Sequence, residues 1–307
     1  MKIITISDLH LLNTNPVARL DYLPDTQKKK FKYILQYASN TDAIVVITGD
    51  IFDRPRSWYL LADTIDILKR FPEVTVYCVF GQHDTYFYNE STKQSTSLGI
   101  LWKTELIQLL SASPVVFEQE SINIYGASIS QDVPEVLDTT KKNILSIHAP
   151  IAEAALFPSH DYYDAKFFLD KYPDYDIILC GDIHRRFAIT ADGGKRVILN
   201  TGPIVRKEGT VYNMEHVPGF YIIDTKTNDI KFHEIPHKEA EKVLTREHII
   251  DKNERDDSLS EFVSTINESE VKGTDIKKNV QAFIDQNEIS DDIKTILATT
   301  MNKETRQ

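Results

Sequence analysis

Nine side chains able to do acid–base or metal chemistry gather in five short clusters of the 307-residue chain. The clusters read Asp8-Leu9-His10, Gly49-Asp50-Ile51-Phe52-Asp53, Gly81-Gln82-His83-Asp84, His148-Ala149-Pro150 and Gly181-Asp182-Ile183-His184. Alone, each Asp reads as a turn acid or a helix cap, and Asp84 keeps that reading. Together, Asp8, His10, Asp50, Asp53, Gln82, His83, His148, Asp182 and His184 form a set of oxygen and nitrogen donors without a thiolate. Such a set suits Mn, Fe or Mg better than structural zinc. That much converging negative charge is costly unless cations compensate it. A carboxylate able to bridge two ions points to a two-metal hydrolytic site, with ions about 3.5–4 Å apart.

The elements that must position these groups are legible on either side of them. Each cluster ends or follows an apolar run: Lys2 to Ser7, Ala43 to Thr48, Val74 to Phe80, Asn143 to Ile147 and Asp176 to Cys180. Runs of this length and composition predict buried strands. Phe31, Ile34, Leu35 and Ala38 mark one helical face, and Leu61, Ile65 and Leu68 another, with Ser57 placed as an N-cap. The alternation predicts an α/β fold built on parallel or mixed sheet. Functional groups of such sheets collect at the carboxyl ends of strands, which lie ~5 Å apart laterally. The five clusters should therefore converge.

Beyond Gly181, Val197–Asn200, Gly219–Asp224 and Ile230–Ile235 predict strands joined by short turns, a more antiparallel stretch. From about Val243 the chain becomes polar and acidic. Leu259, Phe262, Val263 and Ile266 make one amphipathic face; Ile276, Val280, Phe283 and Ile284 a second; Ile293, Ile296, Leu297 and Met301 a third. The expected division is a catalytic domain over 1–243 and a small helical appendage over 244–307.

With 35 Lys and Arg against 46 Asp and Glu, the net charge of −11 excludes a protein that coats nucleic acid by bulk charge. Local patches or metal ions could still reach it. Arg185 and Arg186, directly after His184, are the best candidate phosphate contacts. Lys28-Lys29-Lys30, Lys195-Arg196 and Arg206-Lys207 are weaker ones, expected to be solvated. Two cysteines, Cys78 and Cys180, read as core thiols in a reducing compartment. No apolar run approaches the ~20 residues of a membrane helix, and Asp8 interrupts the first run too early for a signal peptide. The expected location is cytoplasmic. His216, His233, His237 and His248 are expected at the surface, His160 at the site's rim, and Trp58 and Trp102 in packing roles.

The order Asp-x-His, Gly-Asp-x-x-Asp, Gly-Gln-His-Asp, His, Gly-Asp-x-His resembles the calcineurin-like metallophosphoesterase superfamily over about residues 1–205. "SDLHLLNTNPVAR", "HAP", "GDIHRRF" and "NTGPIVR" most resemble SbcD-type DNA exonucleases, the nuclease subunits of bacterial and phage SbcCD complexes. The resemblance implies a β-sandwich flanked by helices (α/β/β/α). It implies two divalent ions, Mn²⁺ first and Mg²⁺ or Fe²⁺ otherwise. Asp8, His10 and His184 would hold the first, Asp50 would bridge, and Gln82, His148 and Asp182 would complete the second. A hydroxide bridging the ions would attack phosphorus, with His83 assisting the leaving group and Asp53 hydrogen-bonding His83. Gln82 stands where the family has Asn, and Asp182 where it usually has His; both departures fall on the second ion. The implied partners are DNA and an SbcC-like coiled-coil ATPase, docked by the C-terminal helices, with a homodimer as a further possibility and no membrane. The implied setting is a bacterial cell or a phage-infected host. The alternatives are a phosphatase or small-molecule phosphodiesterase of the superfamily, and a non-catalytic interaction module.

Overall fold

The computed structural model describes residues 1–247, 249, 281, 284, 291 and 293–295. In chain order its elements begin β1 (Lys2–Ile6), α1 (Leu23–Thr41), β2 (Ala43–Ile47), α2 (Trp58–Leu68), β3 (Val76–Cys78), α3 (Ser97–Lys103) and β4 (Gln108–Leu109). Then come β5 (Val115–Phe117), β6 (Ile122–Ala127), β7 (Lys142–Ala149), β8 (Ile151–Ala152), β9 (Tyr163–Asp164) and α4 (Ala165–Lys171). The series ends with β10 (Ile177–Asp182), β11 (Phe187–Ala191), β12 (Arg196–Asn200), α5 (Val211–Glu215), β13 (Gly219–Asp224) and β14 (Asp229–Glu234).

Two six-stranded mixed sheets result, ordered β14-β13-β1-β2-β3-β4 and β11-β12-β10-β7-β6-β5. Period-two side-chain alternation makes each strand serve two cores. Ile3 and Val46 point between the sheets, where they join Ile124, Ile144, Leu179 and Leu199 of the second sheet. Their neighbours Ile4, Ile6, Val45 and Ile47 point outward and pack with Phe31, Ile34 and Leu35 of α1 and Leu61 of α2. On the far side, Leu145, Ile147 and Ile178 pack with Phe168 and Leu169 of α4. The layers are α/β/β/α. Cys78 and Cys180 are buried free thiols in this interior, pushed up in pKa by burial.

Register carries the first two clusters to one edge. β1 pairs in parallel with β2, Ile6 opposite Ile47, and the ladder extends through His10 N–H to Asp50 C=O at 2.9 Å. In the second sheet Gly181 of β10 lies opposite His148 of β7.

After Gly181 the pairing is mostly antiparallel, as expected: β11 with β12, β1 with β13 and β13 with β14. The exception is β12, which also pairs in parallel with β10, and β13 crosses to the first sheet to do its pairing. Ser57 occupies the N-cap position of α2, yet its side chain makes no capping bond. Trp58 is 62% exposed, so its expected packing role also fails.

The chain divides into two compact units, Met1–Leu244 and Thr245–Gln307. In the second, residues 281, 284, 291 and 293–295 are helical. The face at Leu259, Phe262, Val263 and Ile266 lies outside the described residues, as do Ile276, Val280, Phe283, Ile296, Leu297, Met301 and His248. Among the described residues no helix is long and apolar enough to cross a membrane.

Candidate metal centre

The strand ends turn sharply to aim their donors inward. Asp8, His10, Asp50 and Asp182 all have positive φ, at 50°, 41°, 51° and 100°. Non-glycine residues hold that left-handed backbone at a cost of order 1–3 kcal/mol each, and such strain clusters at functional sites. Gly49, at φ +96°, also permits a close approach: a Cβ there would lie 2.3 Å from His148 Nδ1.

Three groups of donors converge. Asp8, His10 and His184 offer atoms within 4.8 Å of one another, as do His10, Asp50 and His83, and Asp8, Asp50 and His148. His10 Nε2 and His184 Nε2 face each other at 3.0 Å. Asp50 Oδ2 stands 3.6 Å from His10 Nε2 and 3.5 Å from His148 Nε2. Gln82 Oε1 lies 2.5 Å from His148 Nε2, and the Gln82 amide donates to Asp182 Oδ1 at 2.5 Å. The fold thus brings together Asp8, His10, Asp50, Gln82, His83, His148, Asp182 and His184.

The residues fit divalent cations. Asp50 Oδ2 is buried with no hydrogen-bond partner, which is costly for a carboxylate unless a cation takes the lone pairs. His148 Nδ1 lies 2.6 Å from the Thr48 carbonyl; donation there leaves Nε2 free as a ligand. Asp8, His10 and His184 would hold one ion, Asp50 both, and Gln82, His148 and Asp182 the other.

Electrostatics agree with a cation sink. Burial drives the Asp50 carboxyl well above its usual range, and His148 only partly opposes this. Burial raises Asp8 too, but His184, His148 and His10 outweigh it and hold that carboxyl low. Burial pushes His10 down to about 4, a neutral ligand at neutral pH. Burial would lower His148, but Asp50, Asp8 and Asp182 raise it.

Asp53 does something other than expected. His83 Nδ1 meets the Asp53 backbone carbonyl at 3.1 Å, whereas the Asp53 carboxylate faces His10 Nδ1 at 3.6 Å and pairs with Lys207. The turn after β2 points that side chain back toward β1. Burial opposes ionisation of Asp53, but His10 and Lys207 win and hold its carboxyl low.

Asp84 caps turns as expected, while the supporting roles of Lys207 and Thr48 were missed from the sequence. Asp84, fully buried, accepts the N–H of Ile51, Phe52 and Gly81 at 3.3, 3.1 and 3.2 Å, tying the second cluster to the third. Its presence beside His83 was the only signal. Lys207 and Thr48 had none, since their partners lie far along the chain.

The other candidates scatter. Arg185 lies over the Tyr212 ring at 5.3 Å and Arg186 over Phe232 at 3.9 Å. Lys28 pairs with Asp63, and Arg196 with Asp192. Lys30 and Arg206 are buried, contrary to expectation. So is His216, whose Nε2 meets the Pro203 carbonyl at 2.7 Å. His233 packs against Tyr37 and Phe220, His237 is exposed, and His160 stacks on Tyr162.

Residues 1–186 match the calcineurin-like phosphoesterase family. The chain belongs to that family, which defines it as a metal-dependent phosphoester hydrolase in class. No curated protein matches it significantly in sequence. Among solved structures, it resembles NAD nucleotidase of Haemophilus influenzae at 16% identity and TM-score 0.40, over 80% of this chain and 50% of that one. A conserved uncharacterized protein of Streptococcus pneumoniae, described as a predicted phosphoesterase, matches at 16% and 0.36, over 78% and 94%. Zinc-complexed Vps29 of Entamoeba histolytica matches at 13% and 0.36, over 76% and 98%.

Proposed function

We propose that the chain is a DNA phosphodiesterase of the SbcD type, using two Mn²⁺ ions. The observation that carries the nucleic-acid assignment is the combination of Arg56 against the exposed Trp58 ring, the exposed Phe87 ring, and Arg185 and Arg186, on segments that follow the metal ligands. Arg56 lies between Trp58 and Tyr86, at 5.9 and 5.8 Å from the ring centroids. Phe87, four residues after His83, is 94% exposed. Arg185 and Arg186 follow His184 directly. Single-stranded nucleic acid is held by this combination, cations on phosphates and rings under bases. The motif order of the first 205 residues supports the same reading.

Bound ions supply Lewis-acid stabilisation of charge developing on phosphoryl oxygens. The chain's residues do the rest. Asp8 and Asp50, with His10, Gln82, His148, Asp182 and His184, would hold the ions. His83, with its Nδ1 hydrogen kept on the Asp53 carbonyl, uses Nε2 to hand a proton to the leaving oxygen, a contribution of about 10²–10⁴-fold. Arg185 and Arg186 orient the flanking phosphates. The segment from 246 to 307 serves as the dock for a coiled-coil ATPase partner.

A Mn²⁺-dependent assay should compare linear duplex, single strands and bis-p-nitrophenyl phosphate. DNA cleavage abolished in His83→Ala at unchanged metal content is the expected result. Turnover of the small diester without DNA cleavage would favour a small-molecule phosphodiesterase. No turnover of any substrate by metal-loaded protein would favour an interaction module.

A further inference from the structure

We propose that the cavity bordered by the start of α1 and by residues 206 and 236–243 is an anion site for the polyphosphate of a free nucleotide. The proposal is independent of the DNA reading above. The cavity holds about 480 Å³, inside the roughly 300–1,000 Å³ of small-molecule sites. In a chain of net charge −11, its wall carries five cations, Arg19, Lys29, Lys30, Arg206 and Lys238, against two carboxylates, Asp21 and Asp25. Arg19, Lys30 and Arg206 are only 7%, 7% and 6% exposed.

The two carboxylates are already engaged. Asp21 takes Arg19 Nε at 2.8 Å and the Thr26 hydroxyl at 2.8 Å, while Asp25 pairs with Lys28 at 3.2 Å. Lys30 donates to the Ile204 carbonyl at 2.8 Å. Arg206 donates to the carbonyls of His216 and Lys238 at 2.7 and 2.8 Å. Among the described residues no carboxylate stands within ion-pair distance of Lys29, Lys30, Arg206 or Lys238. Carbonyl dipoles solvate Lys30 and Arg206 without neutralising them. The Lys30 ammonium is accordingly pushed down to about 7, by burial and then by Arg206 and Arg19.

Buried cations left unmatched are costly, and an anion of several charges removes that cost. Guanidinium forks and ammonium groups together fit phosphate oxygens. Tyr22, 54% exposed and part of the same wall, offers a flat face for a base, which selects a nucleotide over bare pyrophosphate.

Isothermal titration calorimetry on the full-length protein as purified tests this with pyrophosphate, a non-hydrolysable α,β-methylene analogue of dATP, and a 5′-phosphorylated tetranucleotide. The expected result is 1:1 binding of the analogue, at least tenfold tighter than that of pyrophosphate or the tetranucleotide. Lys29→Ala/Lys238→Ala, both exposed positions, should weaken it at least tenfold, and His184→Ala should leave it unchanged. No binding at millimolar analogue, indifference to the lysine pair, or loss in His184→Ala would each overturn the proposal. Tighter binding of the tetranucleotide would overturn the free-nucleotide assignment.

Discussion

Gly81→Ala should separate the geometry of the metal centre from the stability of the fold. A Cβ at position 81 would sit 2.1 Å from Asp50 Oδ1 and 2.6 Å from the Asp50 backbone nitrogen. Real Cβ contacts essentially never fall under 3.0 Å, so the Asp50 carboxylate must retreat by about 0.9 Å. That carboxylate is also anchored by the His83 N–H at 2.8 Å, so it cannot swing away without disturbing the third cluster. A displacement near 1 Å in a catalytic group costs on the order of 10²-fold in rate. Overpacking itself costs about 1–3 kcal/mol. Gly126→Ala is the matched control: its Cβ would lie 2.4 Å from Leu110 Cβ and 2.5 Å from the Leu110 carbonyl carbon, with no metal ligand among those contacts. Urea denaturation should find both variants destabilised by a similar amount. Turnover of bis-p-nitrophenyl phosphate with Mn²⁺ should fall about 100-fold in Gly81→Ala alone, with metal content reduced. Full turnover and metal content in Gly81→Ala would refute the bridging geometry assigned to Asp50.

Asp53→Asn should weaken metal binding about 10–100-fold, as loss of a group that orients a ligand does, because its carboxylate faces His10 and not His83. Equilibrium dialysis reads this, and a variant with normal affinity but lowered turnover would restore the His83 role. Asp182→His exchanges a hard oxygen for nitrogen, so metal content after equilibration with equal Mn²⁺ and Zn²⁺ should shift toward zinc; an unchanged ratio would remove Asp182 from the ligands. Lys30 sits at about 7 in the fold against 10.5 unfolded. Below pH 7 both states hold the proton. Between about 7 and 10.5 only the unfolded state does, so stability rises with pH, by up to roughly 5 kcal/mol. Lys30→Met should be more stable at pH 6 and lose that slope in urea titrations; equal slopes would show that Lys30 is not a buried charge.

The five polar clusters were readable because each follows an apolar strand, and β-sheet geometry delivers neighbouring strand ends to one edge. That three of them sit on one sheet and two on the other, and meet because the sheets pack face to face, only the structure decided. The α/β class and the helices α1 and α2 were readable because periodicity records which face is buried, whereas the α/β/β/α layering came from the family resemblance of the motifs. Local chemistry of this kind survives in sequence. What the sequence could not say was which partners each side chain would meet. Asp53 turned from His83 to His10 and Lys207 because the chain after β2 bends back toward β1, a matter of register and not of composition. β12 and β13 look alike as apolar runs, yet one pairs in parallel inside the second sheet and the other crosses to the first. Lys30, Arg206 and His216 read as surface residues, yet they are buried, and the acceptors they meet are long-range backbone carbonyls from the 203–216 and 238 regions. Burial, pairing and charge environment are set by contacts between residues far apart in the chain, so tertiary packing alone decides them.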